Sequence, residues 1–304
     1  MGPRIIVVGS LNMDLIARTP RLPQPGETVL GHEFDTAPGG KGANQAVAAA
    51  RLGAQVAMVG RVGDDDYGQA LLATMASDGV NTKHVTVDPE ASTGVALIEL
   101  DDAGENSIIV IPGANMRLTP ADVQAAESML AASDVLLLQL ESPLPVVQHA
   151  IRAARTRGVT VVLNPAPARP LPVELLRDVD YLVPNETEAG LLVGREVSDT
   201  ASARDAAHSL RGKGVRTVIL TLGGQGALLI GEDDILVPAF KVKVVDTTAA
   251  GDAFVAGFAV ALAGGRDLER AVGFANAAGA LATTRLGAQP SLPTAAEVEA
   301  LLTG

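Results

Sequence analysis

Short apolar runs alternate with longer amphipathic segments over most of the chain. Most of these runs are continuous, as expected for strands that are covered on both faces of a parallel sheet. The alternation predicts one α/β domain spanning residues 1–304, folded as a doubly wound α/β/α sandwich. From residue 250 to residue 302 the pattern is almost entirely helical and rich in Ala. The predicted strands are 5–8, 56–59, 135–138, 159–163, 181–183 and 218–220, and the predicted helices are 43–52, 67–77, 120–131, 143–157 and 201–213.

Two stretches, about 13–38 and 92–111, break this alternation. The first contains the strand-like pieces 13–17 and 28–34. The second has the pattern of a β-hairpin around the turn DDAGEN, which is rich in good turn formers. These extra strands have no neighbouring helices in the sequence. They therefore predict a small separate sheet, a lid over one edge of the main domain.

Composition and charge restrict the chemistry. Hydrophobic residues make up 47% of the chain but aromatic residues only 2%, so Ala, Val, Leu and Ile must build the core. The formal charge of −12 argues against nucleic acid or an anionic membrane as a general partner. No cysteine is present, which excludes disulfides, thiolate zinc sites and cysteine nucleophiles. No apolar run has the length of a signal peptide or a membrane span, so we expect a soluble, cytoplasmic protein.

The stretch DTTAAGDAF, residues 246–254, carries the strongest indication of chemistry. It follows KVKVV (241–245), which has the pattern of a strand, and it precedes an apolar helix. Residues 249–251 carry almost no side chain, so a ligand can approach amides at a helix start, where N–H groups lack partners and the dipole favours anions. Asp252 in the same turn either caps the helix or takes the proton during phosphoryl transfer to an alcohol. The stretch alone leaves both interpretations open.

Polar residues also follow the first predicted strand, at the edge where ligands of open α/β sheets bind. Asn12 and Asp14 suit the hydroxyls of a sugar, although an Asx turn is the simpler interpretation. The segment GGKGANQA (39–46) is a Gly-rich turn that opens a helix. It is not a P-loop, because its lysine is followed by Gly rather than Ser or Thr. Its glycines permit close approach of a ligand, and Lys41 and Asn44 would then point toward the same cleft.

Later segments each have a structural and a functional interpretation. Glu141 follows a predicted strand and either faces the cleft or caps the next helix. The segment NETE (185–188) either caps a helix or holds the waters of a magnesium ion near phosphates. The segment TLGGQG (221–226) wraps a nucleotide or forms a hairpin turn, and RLGAQPS (285–291) offers exposed carbonyls or only stops a helix. No GxGxxG follows the first strand, which disfavours a dinucleotide-binding dehydrogenase.

Together, these motifs resemble those of the ribokinase (PfkB-type) family of carbohydrate kinases. The early GGKGxNQ and the late DTxxAGD, in this order, are highly specific. Within the family, GGKGANQA with GAQPS is more similar to the ribokinases than to fructokinases, adenosine kinases or phosphosugar kinases. The resemblance covers nearly the whole chain through NMD at 12–14, PGGKGANQAVAAARLG at 38–53, NETE at 185–188, TLGG at 221–224, DTTAAGD at 246–252 and GAQPS at 287–291.

The resemblance implies a site. Asp252 would be the catalytic base on a primary alcohol, with Ala249, Ala250, Gly251 and the amide of Asp252 forming an anion hole. The residues implied to bind sugar hydroxyls are Asn12, Asp14, Gly40, Lys41, Asn44 and Glu141. Those implied to line the ATP–magnesium site are Asn185, Glu188, Thr221, Gly223, Gly226, Gly251 and Asn276. A monovalent cation, usually potassium, would be held by Asp246, by the carbonyls of Thr248, Ala282, Arg285 and Gly287, and by Ser291.

The implied activity is the ATP-dependent phosphorylation of D-ribose at its 5-hydroxyl, with Mg²⁺ and an activating K⁺. The extra strands would form a lid, and two lids would pair into a homodimer. Two alternatives stay open: another sugar or nucleoside kinase of the same family, for example one acting on 2-deoxyribose, and a non-catalytic sugar or nucleotide sensor on the same fold. Two positions depart from common members, namely Ala249 in place of Gly and Asn276 in place of His.

Overall fold

The computed structural model describes residues 2–303 and contains two sheets, the larger of which is flanked by helices. In chain order the strands are β1 (Arg4–Val8), β2 (Asn12–Thr19), β3 (Glu33–Gly39), β4 (Gln55–Gly63), β5 (Asn81–Asp88), β6 (Gly94–Asp101), β7 (Asn106–Ile111), β8 (Val135–Leu138), β9 (Thr160–Leu163), β10 (Tyr181–Leu182), β11 (Thr217–Thr221), β12 (Ala227–Ile230) and β13 (Asp234–Val237). The helices are α1 (Lys41–Arg51), α2 (Asp66–Ser77), α3 (Pro120–Ala125), α4 (Glu127–Ala131), α5 (Leu144–Arg155), α6 (Val173–Arg177), α7 (Glu186–Val193), α8 (Thr200–Gly212), α9 (Ala250–Ala263), α10 (Leu268–Ala282) and α11 (Ala295–Thr303).

The larger sheet has nine strands in the order β13-β12-β11-β10-β9-β8-β1-β4-β5. The pairs from β5 to β11 are parallel, whereas β12 and β13 join as antiparallel strands at one end. Val8 of β1 lies opposite Val59 of β4 and Leu138 of β8. The carboxyl ends of central strands therefore lie along one edge of the sheet, so the loops that leave them can share a site.

Alternate residues of the central strands face opposite layers of helices. In β1, Ile5 and Val7 belong to a core with α1, α9 and α10, whereas Ile6 and Val8 belong to a second core with α5 and α8. Both faces of the sheet are thus buried, which is why these strands are continuous apolar runs in the sequence. The predicted doubly wound sandwich is confirmed.

Helix α9 is apolar because it is enclosed. Every residue from 252 to 261 is buried. Gly257 lets α10 approach closely, since a Cβ at this position would lie 3.1 Å from the Cβ of Ala278. The start of α9, where Asp252 lies, is therefore anchored by close packing along the rest of the helix.

The smaller sheet has four strands in the order β3-β2-β6-β7. Strand β2 pairs antiparallel with β3 and parallel with β6, and β6 and β7 form the predicted hairpin. Residues of all four strands line one side of a cleft of about 880 Å³, and the segments 244–248 and 286–288 line the other side. Strand β7 is exposed throughout. The predicted second sheet is present, and we call it the lid because it lies over this cleft.

Several elements differ from the predicted ones. The segment 241–245 is not a strand, because no strand lies alongside it, and Val244 and Val245 are 59% and 51% exposed. The predicted strand 28–34 begins only at Glu33, as part of β3, and the predicted helix 120–131 divides into α3 and α4. Strands β5, β12 and β13 were not predicted. Within residues 2–303 we find no helix whose length and apolar character would allow it to cross a membrane.

Candidate active site

Many of the predicted site residues meet at the carboxyl edge of the larger sheet, facing the lid. Hydrogen bonds and mutual electrostatic effects connect them across elements that are far apart in the sequence. The contributing segments are the start of β2 with Asn12 and Asp14, the start of α1 with Lys41 and Asn44, the loop after β8 with Glu141, and the first turn of α9 with Asp252.

The Asp252 carboxylate is 6% exposed and is held from both sides by amide groups. Asn44 Nδ2 donates to Asp252 Oδ2 at 3.0 Å, and Gln45 Nε2 donates to Asp252 Oδ1 at 3.0 Å. No N-cap bond is formed by the Asp252 side chain, because the N-cap residue of α9 is Ala249. The capping interpretation of this aspartate is therefore wrong, and the carboxylate is free for another role.

The amides of the expected anion hole lie at the start of α9. Ala249 adopts the left-handed conformation, with φ 57° and ψ 8°, and turns the chain into the helix. The amide of Ala250 donates to the Thr247 carbonyl at 3.2 Å, so this amide is already engaged. The amides of Gly251 and Asp252 donate to no described residue. A Cβ on Gly251 would meet nothing within 4 Å, which leaves open space for an anion over these two amides.

The Gly-rich turn before α1 holds the lid strand β2 close to the helix. A Cβ on Gly39 would clash with the carboxylate of Asp14, and a Cβ on Gly40 would lie 2.6 Å from the amide nitrogen of Asn12. Gly40 also has a φ of 88°, which L side chains rarely adopt. The Asn12 Oδ1 atom accepts from Asn115 Nδ2 at 2.8 Å. The side-chain nitrogen of Asn12 is thus the atom that remains for a ligand.

Glu141 does not cap α5, whose N-cap residue is Pro143. Its Oε2 atom accepts from Ser10 Oγ at 2.5 Å and from the amide of Lys41 at 3.2 Å. Ser10 in turn accepts from the amide of Gly42 at 3.2 Å. The glutamate thereby connects the loop after β1, the start of α1 and the loop after β8 at one point.

Several carboxylates gather around Lys41. Burial raises the pKa of Asp14 to about 7, and the nearby carboxylates of Glu141 and Asp252 add to this rise. The same Asp252 and Glu141 carboxylates, together with Glu188, raise the pKa of Lys41, although burial opposes the shift. Lys41 is therefore a stable cation in the middle of the site.

A cavity of about 210 Å³ joins Lys41 and Asp252 to the start of α7. Asn185 and Glu188 line it, and they also form a capping box, with Glu188 N donating to Asn185 Oδ1 at 2.8 Å and Asn185 N donating to Glu188 Oε2 at 2.9 Å. The capping interpretation of NETE is thus confirmed. Burial raises the pKa of Glu188, which reflects its enclosed position beside this cavity.

A second cavity of about 280 Å³ opens next to the first and is mainly apolar. Gly251 and Thr221 line both cavities. The TLGGQG segment is both a turn between β11 and β12 and one wall of this cavity, where a Cβ on Gly223 would meet nothing within 4 Å. Its other lining residues include Gly226, Ala239, Phe240, Val242, Val244, Asn276, Gly279 and Ala280.

Asn276 supports the wall of this apolar cavity. Its Nδ2 atom donates to the carbonyls of Val237 at 3.0 Å and Pro238 at 3.1 Å. Both amide hydrogens are therefore engaged by the chain that leaves β13, and only the side-chain oxygen is left for a base in the cavity.

The residues expected around a monovalent cation cluster beside the start of α9. Asp246 accepts from the amide of Thr248 at 2.9 Å and from the amide of Gly287 at 2.8 Å. Burial acts to raise the pKa of Asp246, but these bonds together with the Thr248 hydroxyl lower it. The carbonyls of Thr248, Ala282, Arg285 and Gly287 accept no hydrogen bond from the described residues. Unpaired carbonyls beside a carboxylate fit a hard cation such as potassium.

Two side chains of the expected cation set are used elsewhere. Ser291 is buried, and its hydroxyl donates to the Ala288 carbonyl at 2.8 Å, which leaves only its lone pairs for a ligand. The Arg285 side chain forms an ion pair with Glu297, so only its carbonyl can contribute. No cluster of three or more His, Cys, Asp or Glu side chains within residues 2–303 is arranged for a metal ion. A magnesium ion near Glu188 would therefore take most of its ligands from phosphate and water, as Mg²⁺ usually does.

Sequence reasoning missed four side chains of the site: Ser10, Gln45, Gln139 and Asn164. Gln45 lies inside the GGKGANQA motif, and Asn164 follows a predicted strand, so a position signal existed for both. Gln139 likewise directly follows a predicted strand, 135–138, so the same signal existed for it. Ser10 carries no comparable signal, because its importance depends on partners that the fold brings to it. Asn164 lines the same cavity as Asp252.

The doubly wound sandwich, the unpaired amides at the start of α9 and the buried Asp252 carboxylate beside them form a site suited to transfer of a phosphoryl group. The model of the pfkB family carbohydrate kinases matches residues 3–295. The chain belongs to this family.

Several similar proteins are ribokinases. The chain is 44% identical to a ribokinase of Haemophilus influenzae, over 98% of this chain and 97% of that protein, and 45% identical to a ribokinase of Bacillus subtilis, over 98% and 99%. It is also 42% identical to a deoxyribokinase of Salmonella typhi, over 95% of each chain. The structure of Arabidopsis thaliana ribokinase complexed with ribose and ATP superposes with a TM-score of 0.93, at 35% identity and full coverage of both chains.

Proposed function

We propose that the protein transfers the γ-phosphoryl group of ATP to the 5-hydroxyl of D-ribose and releases D-ribose 5-phosphate and ADP. One observation carries the proposal: the Asp252 carboxylate and the unpaired amides of Gly251 and Asp252 lie at one helix start, beside two cavities that share Gly251 and Thr221. The names of the relatives at 44% and 45% identity support ribose as the acceptor.

In the proposed reaction, Asp252 accepts the proton of the 5-hydroxyl. The bond from the ribose oxygen to the γ-phosphorus forms as the bond from that phosphorus to the β–γ bridging oxygen breaks, and ADP leaves with the electron pair. Because the transition state is loose, positioning and charge stabilisation supply most of the rate. The carboxylate can receive the proton late, when the oxygen has become acidic.

The charge that develops on the transferred group needs donors that are already in place. The amides of Gly251 and Asp252, which donate to no described residue, and the ammonium group of Lys41 are the candidates, since all three residues line the same cavity. Magnesium, when bound with ATP, would neutralise phosphate charge beside Glu188 and Asn185. Potassium, held by Asp246 and the neighbouring carbonyls, would fix the backbone turn that presents these amides.

The ribose hydroxyls would be recognised by a ring of acceptors and donors in the cleft. Asp14 and Glu141 offer carboxylate oxygens, and Asn12 and Asn44 offer amide groups. The Asn44 Oδ1 atom is buried without a partner, which is the state expected of an atom that waits for a ligand hydroxyl. Gly39 and Gly40 let Asp14 and Asn12 lie close to the start of α1, since a Cβ at either position would clash with one of them.

The adenine of ATP would occupy the apolar cavity beside TLGGQG. Phe240 and Phe254 are the only aromatic side chains among the residues that line it, in keeping with the low aromatic content of the chain. The Asn276 oxygen is the polar group best placed to accept from a base, because its nitrogen is engaged by Val237 and Pro238.

A 2-deoxyribokinase is the second candidate. The 42% identity to a Salmonella typhi deoxyribokinase is close to the identity with the ribokinases, so identity alone does not separate the two substrates. A sugar or nucleotide sensor is less consistent with the site, because a sensor does not need a proton acceptor such as Asp252 beside the unpaired amides.

The test is the release of ADP from ATP and magnesium with a panel of pentoses and hexoses, with and without potassium. We expect turnover with D-ribose, and the variant Asp252→Asn should lower kcat at least roughly a hundredfold. Turnover with 2-deoxyribose alone would support the second candidate. Sugar binding in a calorimeter without ADP release would support the sensor, and an active, folded Asp252→Asn variant would remove Asp252 as the base.

We also propose that two chains pair through their lids into a homodimer. We further propose that the protein is cytoplasmic and binds neither nucleic acid nor a membrane. The dimer is supported by exposed apolar side chains on β7, where Ile109 and Ile111 are 60% and 44% exposed. Light scattering of the wild type and of Ile109→Glu would test it, since a charged side chain in the contact should shift the mass toward the monomer.

A further inference from the structure

We propose that Gln45 is a positioning residue that sets the orientation of the Asp252 carboxylate, and that Gln139 and Asn164 hold Gln45 in place. We call Gln45, Gln139 and Asn164 the amide clamp. The inference rests on the proposed function, in which Asp252 receives the hydroxyl proton. It concerns residues that have no polar atom free for the sugar or the nucleotide but determine where the carboxylate of Asp252 lies.

The clamp is a continuous chain of hydrogen bonds between buried amides. Gln45 Nε2 donates to Asp252 Oδ1 at 3.0 Å and to Asn164 Oδ1 at 3.3 Å, and Gln139 Nε2 donates to Gln45 Oε1. Gln45 and Gln139 are 0% exposed and Asn164 is 8% exposed. If one of these buried bonds is lost, the amide group left behind has no water to bond to, so breaking the bond is costly.

Two groups that can only accept hydrogen bonds determine which way each amide of the clamp is oriented. The Asp252 carboxylate only accepts, so the nitrogen of Gln45 must face it and the oxygen of Gln45 must face Gln139. The Val183 carbonyl also only accepts, and Asn164 Nδ2 donates to it at 2.9 Å, so Asn164 Oδ1 must face Gln45. The clamp has one consistent arrangement and therefore one orientation of Gln45.

Gln45 has no polar atom left for a substrate. Both hydrogens on its nitrogen are used, by Asp252 and Asn164, and its oxygen accepts from Gln139. Asn44 differs, because its oxygen has no partner. The two neighbouring residues therefore have different roles. Asn44 can bind a ligand while it donates to Asp252 Oδ2, whereas Gln45 can only hold Asp252 Oδ1.

The backbone near the clamp leaves room for its side chains. A Cβ on Gly9 would clash with Gln139 Oε1, so only glycine at the end of β1 leaves room for this side chain. Gln139 itself directly follows β8 and Asn164 directly follows β9. The clamp therefore ties the orientation of Asp252 to three adjacent strands of the larger sheet, which are buried on both faces.

The test compares Gln45→Met and Gln139→Met with the wild type, each also made in an Asp252→Ala background. Met has nearly the length of Gln but donates no such bond. We measure kcat, the KM values for ribose and ATP, and the thermal midpoint. The control is Ile151→Val, a shortening of a buried side chain in α5, which belongs to the other core and lies outside the clamp.

We expect Gln45→Met to lower kcat at least roughly tenfold, because small displacements of a reacting group are costly, while the KM for ATP stays within about twofold. The loss should vanish in the Asp252→Ala background, since Gln45 then has no carboxylate to orient. Gln139→Met should lose less activity in the same direction. Ile151→Val should leave kcat unchanged.

An unchanged kcat in a folded Gln45→Met variant would overturn the inference. An equal loss in both backgrounds would also overturn it, because it would indicate a general structural role. If Gln45→Met does not fold, Gln139→Met decides by the same comparison. If the wild type is active and the variants are unaffected, only the inference about the clamp is refuted. If the wild type is inactive on every sugar, the proposed function is refuted as well.

Discussion

Replacing Asp14 with Asn removes a carboxyl group that the folded protein ionises only with difficulty. Its pKa is raised from an ordinary value near 4 to about 7, first by burial and then by the carboxylates of Glu141 and Asp252. The folded state therefore binds the Asp14 proton more tightly than the unfolded chain does. By linkage, the wild type loses stability as the pH rises from about 4 to about 7, and above that range the loss is complete.

The size of the effect follows from the shift. About three pKa units at 1.36 kcal/mol each correspond to about 4 kcal/mol at pH 8, and to little at pH 4, where the carboxyl is protonated in both states. Asn resembles the protonated carboxyl, so Asp14→Asn should increase the free energy of unfolding by about 4 kcal/mol at pH 8 and by about 1.5 kcal/mol at pH 5. The variant should at the same time lose affinity for ribose, because a carboxylate acceptor is gone.

The assay is urea unfolding of both proteins at pH 5, 6, 7 and 8, together with the KM for ribose. Asp35→Asn is the matched control, since Asp35 is an exposed carboxylate of the lid and its loss should change stability by less than about 0.5 kcal/mol. A stability difference between Asp14→Asn and the wild type that does not grow from pH 5 to pH 8 would refute the electrostatic reasoning.

Three further outcomes follow from the turn before α9 and the cation cluster. Ala249→Gly should increase the free energy of unfolding by up to about 1 kcal/mol in urea, because Ala249 has a φ of 57°; a loss of stability would contradict the strain argument. Gly251→Val should raise the KM for ATP at least roughly tenfold by filling the open space over the amides, with calorimetric ribose binding unchanged, and an unaltered KM would speak against that anion site. Replacing potassium with tetramethylammonium should lower kcat, and Asp246→Asn should weaken the response to potassium; equal activity in both salts would argue against a cation at this cluster.

Periodicity predicted most of the larger sheet because its strands are buried on both faces. The runs at 5–8 and 135–138 are strands in the structure, and the hairpin in the stretch 92–111 is present as β6 and β7. Segment 241–245 shows the limit of this reasoning. It has the composition of a strand, but a strand exists only where another offers a free edge, and none lies beside these residues. They border the apolar cavity instead, through Val242 and Val244.

The motifs indicated which residues belong to the candidate site, but they did not indicate which hydrogen bonds these residues form. Asp252 and Gly251 could be singled out because small residues followed by an acid at a helix start favour anion binding beside a proton acceptor. The sequence could not indicate that the Ala250 amide is engaged by Thr247, since that depends on the conformation of Ala249. It also could not separate Asn44 from Gln45, because which side chain keeps an unpaired atom depends on neighbours more than ninety positions away, such as Gln139.

The order of residues along the chain was sufficient for the α/β class, the existence of a second sheet and the family, because periodicity and short motifs are local properties. Only the tertiary structure decided the ionisation of Asp14, the buried contacts of Asp252 and the cavity that opens over Gly251. These depend on charges and dipoles from distant segments placed within a few ångströms of one another, in a space where water no longer screens them.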